Sequence, residues 1–476
     1  MAQSHAIVIG GSIAGMCAAR ALSDHFDAVT VIDQDELRDA KPRRGTPQSW
    51  HNHLLLDRGR DALEAMFPGF TDYCLNQGAL LIDPAYEAAQ YFPGGWYPRS
   101  RSDARILFAS RPKIESCIRD MVRKESRISF IEQTRVASLT TSSGAEGIRA
   151  TGVTYVSHDG GRSQALTADF VVDATGRGSK CVAWMKELGL EVEERTLDAR
   201  VTYSSRWYRL PAGHDEWWKW LTVFPAIDPE SPEEHRYICT VFPIEDNCFI
   251  AIMGSWGLAM PKTNADFETA YRKTRSPEFA EVLAYSQPLT DVNRTKSTRN
   301  VRRSFDKLTD PPARYIAVGD AVCAFNPIYG QGMTCAAANA VILREALSDH
   351  DAGGTALVRE FYARQADLLE RPWQLALTRD GAFSHASGTD ALPDGLKKRL
   401  VSKYTWTGFQ FLNEAALRDK KIKDHYERVF NLHETLGDFL RNPRVVYGLA
   451  RYGLRKALGR PLLQPGIPTG TTVVAD

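Results

Sequence analysis

Two glycine-rich segments carry the residue types that phosphate and flat-ring binding require. The first runs Ile7-Val8-Ile9-Gly10-Gly11-Ser12-Ile13-Ala14-Gly15. Gly10 permits a tight turn after an apolar strand, and Gly15 lets the following helix pack close. Ser12 stands where a second glycine is usual; it is small enough for a pyrophosphate to approach and adds a hydroxyl donor. A helix beginning at Ile13 and Ala14 turns its free N–H groups toward that pyrophosphate. Asp33 ends the next apolar strand, 18 residues beyond Gly15, where a carboxylate meets ribose hydroxyls. The second segment runs Gly319-Asp320-Ala321 and then Pro327-Ile328-Tyr329-Gly330-Gln331-Gly332-Met333. Asp320 offers an acceptor to a ribityl or ribose hydroxyl, and Pro327 fixes the loop. Gly330 and Gly332, flanking Gln331 and preceding Met333, let the backbone reach a flat ring. The helix that starts there aims its positive end at the ring. Alone, each segment also reads as a plain strand, turn and core helix. Paired in this order they describe a ligand gripped at both ends, which implies FAD and redox chemistry.

The scaffold for these segments is legible as alternating elements. Residues 5–10 read as a strand, 13–23 as a helix and 28–33 as a second buried strand, a parallel right-handed unit. A helix is expected over 105–125, strands over 167–173 and 314–319, and a helix over 332–348. Residues 200–210 and 236–256 alternate and are rich in aromatic and β-branched types. Glu245-Asp246-Asn247 marks a hairpin turn within them. Helical patterning returns in Glu360–Leu377 and Lys397–Arg418, and 461–476 reads as a loose Pro/Gly/Thr-rich tail. The expected class is α/β: a discontinuous Rossmann-type FAD-binding domain (1–60, 100–190, 290–350), an inserted antiparallel β-sheet substrate domain (61–99, 191–289) and a helical C-terminal region (351–476).

Composition excludes several other classes. Among 476 residues, 59 basic and 58 acidic side chains leave a formal charge of +1, so no broad field draws nucleic acid. Apolar runs are too short for a membrane span, and no cleavable leader is apparent at the N-terminus. Eight scattered cysteines without a Cys-x-x-Cys pattern fit a reduced, cytoplasmic protein and neither a disulfide framework nor a metal centre.

The two segments, with Asp173-Ala174-Thr175-Gly176 between them, resemble the FAD-dependent monooxygenases of the para-hydroxybenzoate hydroxylase fold over residues 5 to 350. In texture the chain is similar to their epoxidase-like members, polyether epoxidases and, more distantly, squalene epoxidase. Arg43-Arg44-Gly45-Thr46-Pro47-Gln48-Ser49-Trp50-His51-Asn52-His53 and Phe242-Pro243-Ile244-Glu245-Asp246 carry that similarity. The resemblance implies that Arg44, beside Gly45, lies along the flavin or its phosphates. It implies that Arg111 contacts FAD and that Val136 meets the adenine through its backbone. Aromatic hydroxylases of this fold carry Asp-Gly where this chain has Thr175-Gly176, a segment associated with FAD and NADPH contacts. The reductant, NADPH or NADH, therefore acts directly or through a separate flavin reductase.

His51 and His53 share one face of an extended segment. They read equally as residues that line the flavin or substrate site, the candidate catalytic pair, and as a hydrogen-bonded structural pair. Trp217-Trp218-Lys219-Trp220 invites a flavin halogenase reading, but those enzymes also need a lysine, and none occurs between Lys41 and Lys113. Residues 443–459 form a basic amphipathic stretch, expected to pack on the body, with peripheral membrane contact as the alternative. The expectation is a monooxygenase acting on an apolar small molecule through a flavin hydroperoxide, by epoxidation first and hydroxylation second. The alternatives are a reductase of isoprenoid double bonds, a halogenase, or a non-catalytic FAD-binding protein.

Overall fold

A computed structural model describes residues 3–145, 147–158, 160–213, 216–226, 231–295 and 298–459. The expected tail at 461–476 lies outside the described residues. The elements that build the site are, in chain order, β1 (His5–Ile9), α1 (Ile13–Ser23), β2 (Ala28–Ile32), β3 (Ala88–Phe92), α2 (Arg111–Val122) and β4 (Ile128–Ile131). There follow β5 (Phe170–Asp173), β6 (Val201–Arg209), β7 (Trp220–Val223), β8 (Ile238–Ile244), β9 (Cys248–Trp256) and β10 (Tyr315–Ala317). The chain ends in α3 (Gly332–Asp349), α4 (Thr355–Asp380), α5 (Leu396–Ala416), α6 (Lys420–Phe430) and α7 (Pro443–Ala457).

Five short apolar strands make a parallel sheet in the order β10-β5-β1-β2-β4. Their continuous apolar runs suit strands covered on both faces, and α1 and α3 pack together over this sheet's core. The helix expected over 105–125 begins later. Ile106–Phe108 is a short strand, Ser110 caps the helix by accepting from Lys113 N at 3.3 Å, and Pro112 sits in the first turn. A polar hairpin, Thr134–Gly144 and Gly147–Ser157, escaped the sequence reading. The insertion expected at 61–99 is divided: Leu63, Met66, Phe67 and Phe70 join the core of the parallel sheet, whereas residues 88–96 join the second sheet.

That second sheet runs β6-β9-β8-β7-β3, antiparallel except for the β7–β3 pair. Alternation sorts its side chains. Leu221, Val223, Cys239, Val241, Ala251 and Met253 point into one core. Trp220, Thr222, Ile238, Thr240, Phe242, Ile252 and Trp256 point to the opposite face, where they wall a cavity. Helices α4 to α6 cover that cavity. Helix α7 rests on them through Val445 and Tyr452 and leaves Arg444, Arg451, Val446 and Leu454 exposed. Among the described residues, no helix is long and apolar enough to cross a membrane.

Candidate functional site

The turn after β1 is built for close approach. Gly10 holds φ +102°, and a Cβ on Gly15 would lie 1.7 Å from the Gly10 carbonyl oxygen. Backbone there cannot yield, so α1 starts hard against the sheet. Its first-turn N–H groups have no helical partner and face a cavity of about 690 Å³. Ser12, Ile13, Ala14 and Gly45 line that cavity together with Asp320, Pro327, Gly330, Gly332 and Met333. Arg111, His51, His53, Thr175 and Gly176 complete this part of the wall. The two segments, remote in sequence, therefore meet around one space, with Gly319 packed directly on Ala14.

Charge beside the α1 N-terminus is organised by Glu115, which is buried on α2. It accepts from Ser12 Oγ at 2.8 Å, Arg43 Nη2 at 2.7 Å and Arg111 Nη1 at 3.1 Å. Burial works against its charge, and Arg111 and Arg43 overcome that cost, holding the carboxyl below its ordinary range. Arg111 also donates to Ser12 Oγ at 2.8 Å and Ser49 Oγ at 3.0 Å. The Ser12 hydroxyl proton thus goes to Glu115 and is not a free donor for phosphate.

Several residues named from sequence lie outside the cavity wall. Asp33 accepts from Gly11 N at 2.5 Å and Arg43 Nη1 at 3.2 Å, and burial pushes its carboxyl up against the pull of Arg43. Its neighbour Gln34 faces the cavity instead. Arg44 is exposed and away from the wall, while Arg43 turns inward to Asp33, Asp35 and Glu115. Local pattern does not distinguish two adjacent arginines; the acidic cluster that selects between them is assembled by folding. Val136 is buried in the polar hairpin. Gln331 is buried at the foot of α3, and both polar atoms of its amide lack a partner among the described residues.

Asp320 is available to a ligand. Its side chain keeps 37% of its surface and lines the cavity, with Arg177 Nε at 3.8 Å. Burial raises its pKa, opposed by Arg177 and Arg111. Arg177 itself is held by the carbonyls of Arg299 and Phe325. The Thr175 hydroxyl donates to Asp173 at 2.6 Å, so it braces the turn after β5.

His51 and His53 both turn into this cavity, and Asn52 between them turns into the other, as an extended chain requires. His51 Nδ1 pairs with Ser205 Oγ at 2.7 Å, and its ring meets Tyr203 edge-on. His53 Nε2 donates to the Gln48 carbonyl at 2.9 Å. Burial pushes each ring down to about 3, with Arg111 adding to the effect at His53. Both are neutral at pH 7 and tied to protein partners, which favours the structural reading.

The second cavity, about 220 Å³, adjoins the first. Leu54, Tyr203, Pro327 and Gly330 belong to both walls. The remaining wall is the alternating face of the second sheet, with Arg379 from α4, Trp406, Phe409 and Asn413 from α5, and Tyr426 and Glu427 from α6. Sequence reading missed a buried carboxylate that holds the loop carrying Pro327, which both walls share. Asp380 accepts from Trp256 Nε1 at 3.1 Å, Asn300 Nδ2 at 2.6 Å, Asn326 Nδ2 at 3.3 Å and the Tyr329 hydroxyl. It fastens the Asn326–Tyr329 loop to the end of α4. The only sequence signal for it is a charged residue at the end of an amphipathic helix.

Comparison with known proteins agrees with this geometry. The FAD binding domain family matches residues 3–360. The chain belongs to that family. Its fold is the α/β fold of the para-hydroxybenzoate hydroxylase type, and its cofactor is FAD. Protein Rv3254 of Mycobacterium tuberculosis (strain ATCC 25618 / H37Rv) is 29% identical over 406 residues, 81% of this chain and 82% of that protein. Kynurenine 3-monooxygenase of Salinispora tropica (strain ATCC BAA-916 / DSM 44818 / JCM 13857 / NBRC 105044 / CNB-440) is 24% identical over 426 residues, 84% of this chain and 85% of that enzyme. Among solved structures, the flavin-dependent halogenase CmlS superposes with a TM-score of 0.61 at 18% identity, covering 88% of this chain and 73% of that one.

The residues present suit FAD: the α1 N-terminus would receive a pyrophosphate, Asp320 a ribityl hydroxyl, and the Pro327–Met333 loop, which contains the unpartnered Gln331 amide, a flat ring.

Proposed function

We propose that the chain is an FAD-dependent monooxygenase that inserts one oxygen atom into an apolar substrate, with alkene epoxidation the first reading and aromatic hydroxylation the second. The adjoining cavities carry this reading: an apolar space shares Pro327 and Gly330 with the cofactor's ring-binding end. When bound, FAD would supply the redox chemistry, with NADPH or NADH as reductant and dioxygen as oxidant. The protein's part is positional. Asp380 holds the loop still, the aromatic wall excludes water, and the positive end of α3 favours the charge of reduced flavin. Electrophilic oxygen transfer to an alkene needs no protein nucleophile, and the neutral His51 and His53 supply none. The kynurenine 3-monooxygenase relative supports oxygen insertion. A halogenase reading is weaker because no lysine lines either cavity among the described residues.

Turnover under isotopically labelled dioxygen tests the proposal: one labelled atom is expected in the product. Turnover without incorporation overturns it in favour of a double-bond reductase, and halide-dependent products overturn it in favour of a halogenase. Anaerobic mixing with NADPH separates direct reduction, seen as bleaching of the flavin band, from a partner reductase.

A further inference from the structure

Resting on the monooxygenase reading above, we propose that Glu427 is a specificity-determining anchor for a hydroxyl group on an otherwise apolar substrate. Glu427 lies on α6, whose inner face carries Ile422 and Val429 into a small core. Two charged residues, Lys423 and Glu427, occupy that same inner side one turn apart. Lys423 Nζ donates to the Pro98 carbonyl at 2.9 Å and Ser100 Oγ at 3.0 Å, and makes a longer ion pair with Glu427 Oε1 at 3.7 Å. Lys423 is thus shared among three acceptors. The Glu427 carboxylate, which stands in the wall of the apolar cavity, keeps acceptor capacity beyond that pair. A ligand hydroxyl would add a shorter bond to it.

Other wall residues have open hydrogen-bonding positions. Among the described residues, Asn413 Oδ1 and Asn431 Oδ1 are acceptors without partners, and Trp220 Nε1 and the Tyr97 hydroxyl are donors without partners. A substrate hydroxyl both donates and accepts, so it suits this set better than an ammonium, which only donates, or a carboxylate, which only accepts. Position along α5 separates this corner from the flavin loop. Phe409 packs under Arg379, whose guanidinium also lies over Tyr329, and Asn413 stands one turn further on, about 6 Å along the axis.

The groups facing Glu427 are Lys423 and Asp424 from its own helix and Asp83 from the loop before β3. Burial pushes Glu427 up to about 7; Lys423 pulls it down, and Asp424 and Asp83 push it further up. Hydroxyl recognition by the carboxylate should therefore strengthen as pH rises from about 6 to about 8.

The test is equilibrium binding to the FAD-loaded chain, followed by perturbation of the flavin spectrum. The probes are geraniol against geranyl methyl ether, and para-butylphenol against para-butylanisole; each ether keeps the apolar body and loses the donor. In the native chain at least one alcohol should bind about tenfold more tightly than its ether, more so at the higher pH. Glu427→Met should abolish that preference and Glu427→Gln, which keeps a neutral acceptor, should reduce it. Asp424→Asn, outside the wall, should keep the preference and move its pH dependence to lower pH, because one like charge facing Glu427 is lost. If Glu427→Met fails to retain FAD, Glu427→Gln and the pH dependence carry the test. No preference for either alcohol in the native chain, or a preference unchanged in the Glu427 variants, overturns the proposal. Labelled-oxygen incorporation by the native chain is scored separately, so loss of the Glu427 assignment and loss of the monooxygenase reading give different results.

Discussion

Replacing Asp380 with alanine removes one acceptor from four donors at once. Trp256 Nε1, Asn300 Nδ2, Asn326 Nδ2 and the Tyr329 hydroxyl converge on a carboxyl that is 0% exposed. A buried donor left without a partner costs about 1–3 kcal/mol. Removing the carboxylate also relieves its own burial, which raises its pKa despite those four donors, and that relief returns several kcal/mol. The net expected loss is about 3 kcal/mol, since four unpaired neutral donors at about 1–3 kcal/mol each outweigh that relief. Asp380→Asn keeps one acceptor oxygen but turns an amide N–H toward two of the donors, so about half that loss is expected. Because Asn326 and Tyr329 frame the ring-binding loop, FAD should also dissociate faster from both variants. Urea unfolding with bound and removed flavin, together with fluorescence-monitored FAD release, measures both quantities. An alanine variant with native stability and native FAD affinity would refute the reasoning.

Three further outcomes follow from the site. Gly15→Ala should yield protein with little bound FAD, because the new Cβ would lie 1.7 Å from the Gly10 carbonyl oxygen and α1 must move; flavin content after purification checks it. Asp320→Ala should lower FAD affinity while leaving apoprotein unfolding nearly unchanged, since its side chain lines the cavity with 37% of its surface free; flavin titration beside urea unfolding separates the two effects. His51, held down to about 3 by burial, contributes stability above the ordinary histidine value of about 6.5. As pH falls below that value the unfolded chain takes the proton and the folded ring does not, so stability drops by about 1.4 kcal/mol per pH unit from this residue. His51→Asn should flatten that slope between about pH 5 and about pH 7 in paired urea titrations; parallel slopes would contradict it.

Local chemistry was readable in the chain itself. Gly10, Gly15, Pro327 and Gly330 answer backbone requirements that lie within a few residues of each, so their types and order point to the FAD-binding family to which the chain belongs. Alternation over 200–210 and 236–256 reveals an antiparallel sheet, because strand periodicity is a property of the strand alone; the Trp220–Val223 strand was not read. The Thr134–Ser157 hairpin was missed because its outward-facing polar residues carry little hydrophobic contrast. Long-range choices belong to the tertiary structure. Arg43 rather than Arg44 turns inward because Asp33 and Asp35 converge with Glu115 of α2 only after folding. Asp380 becomes the brace of the flavin loop because four residues from three separate stretches, Trp256, Asn300, and Asn326 with Tyr329, meet at its carboxyl. Glu427 keeps acceptor capacity toward the cavity because Lys423, one turn away and 3.7 Å from it, is shared with Pro98 and Ser100. A side chain's type is set by the sequence, but its partners, and with them its charge and its use, are set by whatever the folded chain brings within about 3 Å.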